Sequence, residues 1–186
     1  DTELMQKLKL KTLLLDTCVL GKIRHNVKHP KIQDLLQDFD TTNCPLYLSD
    51  FIRIEFLRDS NSYKEAYSRK QVLEELCEDL SFPIKDSVFK EAVTLSCIYA
   101  RKKIERIDFV DLITSALLKN FTSETNGLVL VTTNHKDFPL AVHDRIGVVA
   151  LDVEKEVISL GFYRVNPAKW SSEESMLKES PEWKVG

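Results

Sequence analysis

The sequence has no run of about 18 consecutive apolar residues and no charged-then-apolar leader, so it predicts neither a membrane-spanning helix nor a signal peptide. Its four cysteines lie at least 20 residues apart and form no Cys-x-x-Cys pair, which argues against a zinc knuckle and a dithiol redox motif. We therefore expect reduced thiols, a cytoplasmic location and no membrane partner.

The chain also lacks a large excess of either charge, since its formal net charge is −3 with 30% charged residues. This excludes a protein that binds nucleic acid through overall basic character, so any contact with RNA has to come from a local cationic patch. With 186 residues, 43% of them apolar, the chain is long enough to bury a substantial core as one domain.

An apolar run near the start of the chain ends in a carboxylate. The run from Leu13 to Leu15 predicts a buried strand of a parallel sheet, and Asp16 follows at the carboxyl end of that strand. Ligands of open α/β sheets bind at this edge, which makes Asp16 a candidate site residue. The structural alternative is an aspartate that turns the chain through an Asx turn.

A second apolar run, residues 127–131, ends in polar residues in the same manner. Thr132 and Thr133 stand at the predicted strand end, where either could hold a ligand or a nucleophilic water. Asn134 and Asp137 follow in the same loop and are candidate members of an acidic cluster. The structural alternative is an ordinary polar loop.

Two further carboxylates are predicted on helices. Glu55 lies in a predicted helix over residues 50–59, on or beside the inward face, where a carboxylate is costly unless a cation compensates it. Asp111 lies in the first turn of a predicted helix for which Asp108 is the predicted N-cap. The structural alternatives are an ion pair between Glu55 and Arg58 and a helix-capping role for Asp111.

Five cations are candidates for contacts with substrate phosphates. Two of them lie in a predicted loop beyond Asp16, and three lie in the densest cationic run of the chain, at the predicted end of a helix. The alternative is a solvated surface, which the helix dipole also favours at a helix end. The five residues are Lys22, Arg24, Arg101, Lys102 and Lys103.

The remaining segments are predicted to be scaffold or linker. Residues 62–79 predict a charged helix and residues 152–160 a short helix. Residues 161–186 are polar and predict a tail or linker, in which Trp170 and Trp183 stand isolated among Ser, Glu and Lys.

Four stretches, taken in order, resemble the pattern of PIN-domain (PilT N-terminus) nucleases. The first reads Leu-Leu-Leu-Asp-Thr-Cys-Val-Leu, with Cys18 where the family usually has Asn. The strand at 127–131 is followed by Thr, a variable residue, Asn, two variable residues, Asp and Phe, as in the family. The helices that carry Glu55 and Asp111 supply the other two stretches. The resemblance implies one three-layer α/β domain over residues 1–160, with a central parallel sheet flanked by helices.

The resemblance identifies a catalytic and metal-binding quartet, to which Asn134 adds a neutral ligand. Several carboxylates that converge in a cleft cannot all stay ionised unless cations compensate them. Carboxylate oxygens without His or Cys suit Mg²⁺ or Mn²⁺, and two such ions would serve phosphodiester hydrolysis. We therefore predict a metal-dependent endoribonuclease with RNA as substrate, in which the quartet is Asp16, Glu55, Asp111 and Asp137.

Several biological roles are compatible with this prediction. The resemblance most often implies the toxin of a toxin–antitoxin pair, similar to the VapC type, which is neutralised by a small antitoxin and is often a homodimer. A nuclease domain within a larger RNA-processing or defence protein is equally open. From a different class, a non-catalytic PIN-like binding module is favoured if Cys18 marks loss of the site, whereas retention of all four acids argues against it. A phospho-acceptor signalling domain would need a second acid beside Asp16 and a lysine that ends a late strand, and neither is evident.

Overall fold

The computed structural model describes residues 2–77, 85–105, 107–121 and 127–179, and within them eight helices and one 3₁₀ helix accompany a five-stranded mixed sheet. The strand order is β2-β1-β3-β5-β4, in which β1 pairs in parallel with β2 and β3. β5 runs antiparallel to β3 and to β4. The strands are β1 (Thr12–Leu15), β2 (Leu46–Tyr47), β3 (Leu128–Thr132), β4 (His143–Val153) and β5 (Glu156–Val165).

The predicted α/β class is confirmed, and the central strands are the parallel ones. Successive residues of β1 from Leu13 to Leu15 are buried, and so is every residue of β3. Successive strand residues point to opposite faces, so both faces of the central sheet are covered, as in a three-layer domain. The helices are α1 (Thr2–Leu8), α2 (Thr17–Asn26), α3 (Pro30–Thr41), α4 (Asp50–Arg58), α5 (Tyr63–Leu76), α6 (Asp86–Arg101), α7 (Phe109–Asn120) and α8 (Pro167–Glu179).

The prediction of a loop from Lys22 onward is wrong, because the chain enters helix α2 directly after Asp16 and stays helical to Asn26. Asp16 caps this helix, and Val19, Leu20 and Ile23 recur at helical spacing and are buried. Gly21 is tolerated within the helix. Lys22 and Arg24, predicted in a loop, therefore lie on a helix.

The short helix predicted over residues 152–160 is also wrong, because this segment forms the hairpin of β4 and β5. Val153 pairs with Glu156, and Glu154 between them adopts a left-handed backbone with φ of 53°, which suits a tight hairpin turn. The β-branched residues Val157 and Ile158 favour a strand, and β5 completes its pairing against β3.

The prediction of a tail or linker is wrong for residues 161–179, which form the end of β5 and helix α8. Trp170 is completely buried and Leu177 nearly so, so these apolar side chains dock the otherwise polar helix on the core. Residues 180–186, with Trp183, lie outside the described residues, as do residues 78–79 of the predicted helix 62–79. No helix in the described ranges is both long and apolar enough to cross a bilayer.

Candidate functional site

The carboxyl ends of β1 and β3 lie side by side and bring Asp16 next to Thr132. Leu15 pairs with Val131 in the parallel register, and the Asp16 N–H donates to the Val131 carbonyl at 3.0 Å. The Thr132 hydroxyl donates to Asp16 Oδ2 at 2.5 Å, and the Thr17 N–H donates to Asp16 Oδ1 at 2.7 Å. Only 7% of Asp16 is exposed, so these donors fix its carboxylate in one orientation at the strand end.

Cys18 takes a hydrogen-bonding role at the position where the PIN pattern has Asn. Its thiol donates to Asp16 Oδ2 at 3.1 Å, and the Thr133 N–H donates to Cys18 Sγ at 3.3 Å. Burial raises the pKa of the Cys18 thiol to about 11, and the Asp16 carboxylate acts in the same direction. At neutral pH, Cys18 is therefore a neutral donor towards Asp16 and a weak nucleophile.

Glu55 reaches the same region from helix α4. The Thr17 hydroxyl donates to Glu55 Oε2 at 2.5 Å, which connects α4 to the first residue of α2, directly after Asp16. The Arg58 guanidinium also lies 3.7 Å from Glu55 Oε1, so the ion-pair alternative is realised as well. Because the Arg58 side chain is 66% exposed, this pair contributes little to stability.

Asp111 lies in the first turn of α7 and is half-buried. Among the described residues, its carboxylate has no hydrogen-bond or ion-pair partner. The pKa of Asp111 is raised to about 8, chiefly by burial and in addition by the neighbouring carboxylates of Asp16, Asp137 and Glu55. The fold thus brings the four predicted acids close enough to interact electrostatically.

We expect Asp111→Asn to raise the melting temperature of the metal-free protein, and to raise it more at pH 8 than at pH 5. The folded protein keeps the Asp111 proton up to a pKa of about 8, whereas the unfolded chain loses it near pH 4. The unfolded state therefore binds fewer protons between these values, and the free energy of unfolding falls as pH rises through this window. An asparagine does not titrate, so it removes this fall in the free energy of unfolding. Melts in EDTA at both pH values measure the difference.

The matched control for this prediction is Asp86→Asn. Asp86 is an exposed acid in the first turn of α6, so its replacement should change the melting temperature equally at pH 5 and pH 8. A lower melting temperature of Asp111→Asn at pH 8, or the same shift at both pH values, would contradict the electrostatic account.

Asp137 belongs to the 3₁₀ helix His135–Asp137, just past β3. The Asn134 side-chain amide donates to Asp137 Oδ2, and the Asn134 N–H donates to Thr132 Oγ1 at 2.9 Å. Burial raises the pKa of Asp137, and the carboxylates of Asp108 and Asp16 add to that effect, whereas the Asn134 amide lowers it. Thr132 thus connects the Asn134–Asp137 pair to Asp16.

His135 attaches this 3₁₀ helix to β5. Its Nδ1 lies 2.9 Å from the Tyr163 hydroxyl, and its Nε2 lies 3.1 Å from the Ser159 hydroxyl. Gly161 makes room for the imidazole, because a Cβ there would lie 2.6 Å from His135 Nδ1 and 2.5 Å from Tyr163 Cε2. The position of Asp137 therefore depends on a glycine in the neighbouring strand.

We expect Gly161→Ala to lower the free energy of unfolding by about 1–3 kcal/mol, the usual cost of overpacking a close contact. The new methyl group has to displace His135 or Tyr163, both of which hold the 3₁₀ helix. Urea unfolding followed by circular dichroism measures the change. Gly21→Ala is the control, because no atom lies within 4 Å of a Cβ at that helical position and alanine should be neutral or slightly stabilising. Equal effects of the two substitutions would refute the packing argument.

The acidic donors fit a hard divalent cation, but they do not form a ready coordination shell. In the described ranges, no three His, Cys, Asp or Glu side chains are grouped closely enough to hold a metal ion. Asp16, Glu55 and Asp137 instead accept hydrogen bonds from neighbouring side chains. Asp111 is the exception, since it has no described partner and the other three carboxylates add to the rise of its pKa. Such a group is costly unless a cation compensates it, and oxygen donors suit Mg²⁺ or Mn²⁺. Some of these side chains would have to rotate to bind an ion.

Two of the predicted phosphate-binding cations on α2 are paired with acids elsewhere. Lys22 Nζ lies 2.7 Å from Glu156 at the start of β5, and Arg24 lies 3.5 Å from Glu65 of α5. Both pairs attach α2 to neighbouring elements. Their side chains are therefore engaged in contacts within the protein.

The cationic run at the end of α6 is largely engaged as well. Arg101 and Lys102 both pair with Glu173 of α8, Lys102 at 2.8 Å, and Glu173 is only 9% exposed. Lys103 follows in a left-handed conformation and is exposed. Of the five predicted cations, Lys103 alone has no ion-pair partner within the described part of the chain.

Three residues near the acids were not predicted as site residues. Thr17 holds Glu55, and its only signal is its place directly after Asp16 in the first motif. Asp108 was predicted as a helix cap, but its side chain makes no capping hydrogen bond and instead adds negative charge beside Asp111 and Asp137.

Tyr99 of α6 is the third of these residues, and only its helical spacing marks it in the sequence, as a core residue. It is 4% exposed. Burial raises the pKa of Tyr99, and the Asp111 and Asp137 carboxylates act in the same direction. The neighbouring Ser115 hydroxyl, which also lies 3.2 Å from His143 Nε2, lowers this pKa through a hydrogen bond. Tyr99 is thus a protonated donor beside the acids.

Comparison of the chain with protein-family models, with curated proteins and with solved structures gives no match.

Proposed function

We propose that the chain is a divalent-metal-dependent endoribonuclease, similar to PIN-domain nucleases, that hydrolyses RNA phosphodiester bonds. The observation that carries the proposal is the environment of Asp111. Its half-buried carboxylate has no partner among the described residues, and the carboxylates of Asp16, Asp137 and Glu55 add to burial in raising its pKa. Carboxylates close to one another repel and so lower the stability of the fold, whereas a bound hard cation would compensate their charge.

The ligands in this proposal are Asp16, Glu55, Asp111 and Asp137, and the Asn134 amide oxygen is a further candidate. When bound, Mg²⁺ or Mn²⁺ supplies charge stabilisation for the phosphate and lowers the pKa of a coordinated water. Asp111 has to release its proton before it can serve as a ligand, because its pKa is about 8 in the metal-free protein. Metal affinity should therefore increase with pH up to that value.

Residues around the ligands have positioning roles in this proposal. Thr132 and Cys18 both donate to Asp16 Oδ2, so they hold that oxygen in place. Thr17 does the same for Glu55. The Thr133 backbone N–H donates to Cys18 Sγ and so helps to hold Cys18 beside Asp16.

RNA as the substrate, and the choice among toxin, processing enzyme and defence protein, rest on the resemblance of the motifs. A small antitoxin, a larger protein or a second copy of the chain are the corresponding partners. The four free thiols agree with a cytoplasmic location. Of the proposed phosphate contacts, Lys103 is the best supported, since Lys22, Arg24, Arg101 and Lys102 have acidic partners.

The second candidate function is a non-catalytic binding module with the same fold. Two observations favour it: Cys18 replaces the asparagine of the PIN pattern, and three of the four acids are hydrogen-bonded within the protein. Its acids would then serve only the fold, and neither metal binding nor cleavage should follow.

A paired measurement tests the proposal. We expect Mn²⁺ at millimolar concentration to raise the melting temperature relative to EDTA, because an ion bound only by the folded carboxylates stabilises the native state by mass action. We also expect end-labelled RNA to be cut with Mg²⁺ or Mn²⁺ and to stay intact with EDTA. A protein that shows neither a metal-dependent melting shift nor cleavage would be the binding module.

A further inference from the structure

A cavity lies at the amino ends of β1 and β3, at the opposite end of these strands from the carboxylates. It encloses about 1030 Å³ and is lined by Lys11, directly before β1, and by Gly127 to Val129 at the start of β3. Asp16 and Thr132 stand at the other ends of these two strands. Strands of four and five residues at about 3.3 Å per residue separate the two places by roughly 13–16 Å.

This cavity concentrates positive charge in a protein whose net charge is negative. Five cations and one carboxylate line it. The carboxylate, Asp144, is neutralised by Lys169 at 2.9 Å, and the remaining donors of Lys169 go to two backbone carbonyls, both at 3.1 Å. Lys169 is therefore part of the wall, and the other cations determine the charge that a ligand would meet.

Two of those cations have no partner for their charged groups among the described residues. They are Lys11, which is half-buried, and Arg145, which is exposed. Arg164 is held only loosely by Asp144 at 3.5 Å, whereas Lys7, the fifth cation, is paired with Glu3 at 2.8 Å. A group of cations without carboxylate partners repels itself unless an anion binds between them, and the fork of an arginine suits phosphate oxygens.

A bulge in β4 helps to assemble this group of cations. The register against β5 shifts between Arg145 and Gly147, so Ile146 is the extra residue. In a regular strand, successive side chains alternate between the two faces, whereas a bulge bends the strand and redirects them. As a result, three successive residues, Asp144, Arg145 and Ile146, line the same cavity.

The cavity also has apolar walls, to which Leu128, Ile146 and Pro167 contribute. Its volume is of the size that holds a nucleotide-sized ligand. An apolar wall beside unpaired cations matches a ligand that carries a flat, weakly polar group at one end and several negative charges at the other.

We propose that this cavity binds a nucleoside polyphosphate, with the phosphates at Lys11, Arg145 and Arg164 and the base against the apolar wall. Such a group occurs both in free nucleotides and at the 5′-triphosphate end of an RNA. The proposal does not depend on the nuclease function, because the cavity and the carboxylates share no residue.

Calorimetric titration in EDTA at low salt tests the proposal, because without metal the phosphates cannot be bridged to the carboxylates. We expect ATP to bind, tripolyphosphate to bind more weakly and adenosine to bind more weakly still. Lys11→Gln/Arg145→Gln should weaken ATP binding by at least about tenfold, through loss of two charge-assisted contacts. The control is Lys31→Gln/Lys155→Gln, which changes the net charge equally at two exposed positions elsewhere and should leave ATP binding unchanged.

The remaining arms identify the source of the ligand. An RNA hexamer with a 5′-triphosphate that binds more tightly than ATP, and is displaced by ATP, would support the RNA end as the ligand. Tight binding of ATP without binding of that hexamer would support a free nucleotide. No heat with either ligand at millimolar concentration, equal affinity for tripolyphosphate and ATP, or unchanged binding by Lys11→Gln/Arg145→Gln would overturn the proposal. Arg145→Gln alone, at an exposed site, repeats the test if the double variant folds poorly.

Discussion

Under the proposed nuclease function, Asp16→Asn is expected to reduce metal-dependent RNA cleavage by about 10³-fold or more, since loss of the charge of a proposed central ligand removes several kcal/mol of transition-state stabilisation. The fold should survive, because asparagine is also a good helix N-cap and its oxygen can still accept from the Thr17 N–H. Donors on both oxygens hold the Asp16 carboxylate in place. A neutral amide would keep this shape while it lowers the charge by one.

The measurement is the single-turnover rate of RNA cleavage over a Mn²⁺ titration, together with the melting temperature in EDTA. Asp34→Asn, an exposed acid on α3, is the matched control and should cleave at the wild-type rate. A wild-type rate for Asp16→Asn would remove Asp16 from the site. An unchanged melting temperature in EDTA combined with loss of the Mn²⁺-induced shift would locate the defect in metal binding.

Trp170→Ala is expected to lower the free energy of unfolding by about 3–5 kcal/mol, the usual cost of truncating a fully buried large aromatic side chain. Trp170 is completely buried in the main core, and the Lys119 ammonium lies 4.7 Å from its ring centroid. Truncation leaves a large cavity under α8 and removes the main apolar anchor of that helix. Urea unfolding followed by circular dichroism at 222 nm measures the loss.

Tyr63→Ala is the control for this substitution, because Tyr63 is 97% exposed and its loss should change stability by no more than about 0.5 kcal/mol. If Trp170→Ala were as stable as the wild-type protein, α8 would not be docked on the core. The contacts of Glu173 with Arg101 and Lys102 would then not contribute to stability. A large loss would establish α8 as part of the domain.

The positions of the candidate carboxylates in the fold were predictable from sequence to the extent that local signals define them. The apolar runs before Asp16 and Thr132 predict buried strands that end in polar side chains, and parallel pairing of β1 with β3 then brings those ends together. Asp111 follows from its first-turn position in α7, and Glu55 from its inward lean on α4. These signals depend on spacing within a few residues, which sequence records directly.

The roles of the five candidate phosphate-binding cations were not predictable from sequence, because they depend on partners that are distant in the chain. Arg101 bonds to Glu173 across 72 residues, and Lys22 bonds to Glu156 across 134 residues. No local pattern distinguishes such a cation from one that awaits a phosphate. Lys11 and Arg145, the cations of the cavity that have no described partner, gave no local signal for the same reason.

The sequence by itself determined the α/β class and the two central strands, because apolar periodicity is a property of short segments, and it marked the four acids as candidates by their places at strand ends and on helices. Only the tertiary structure decided that residues 152–160 belong to the hairpin of β4 and β5 and that Trp170 anchors α8. Short apolar segments such as residues 157–163 fit a helix or a strand equally well until a neighbour offers hydrogen bonds, as β3 does for β5. The partnerless carboxylate of Asp111 was likewise decided by packing, because its burial and its negative neighbours come from four separate elements of the chain.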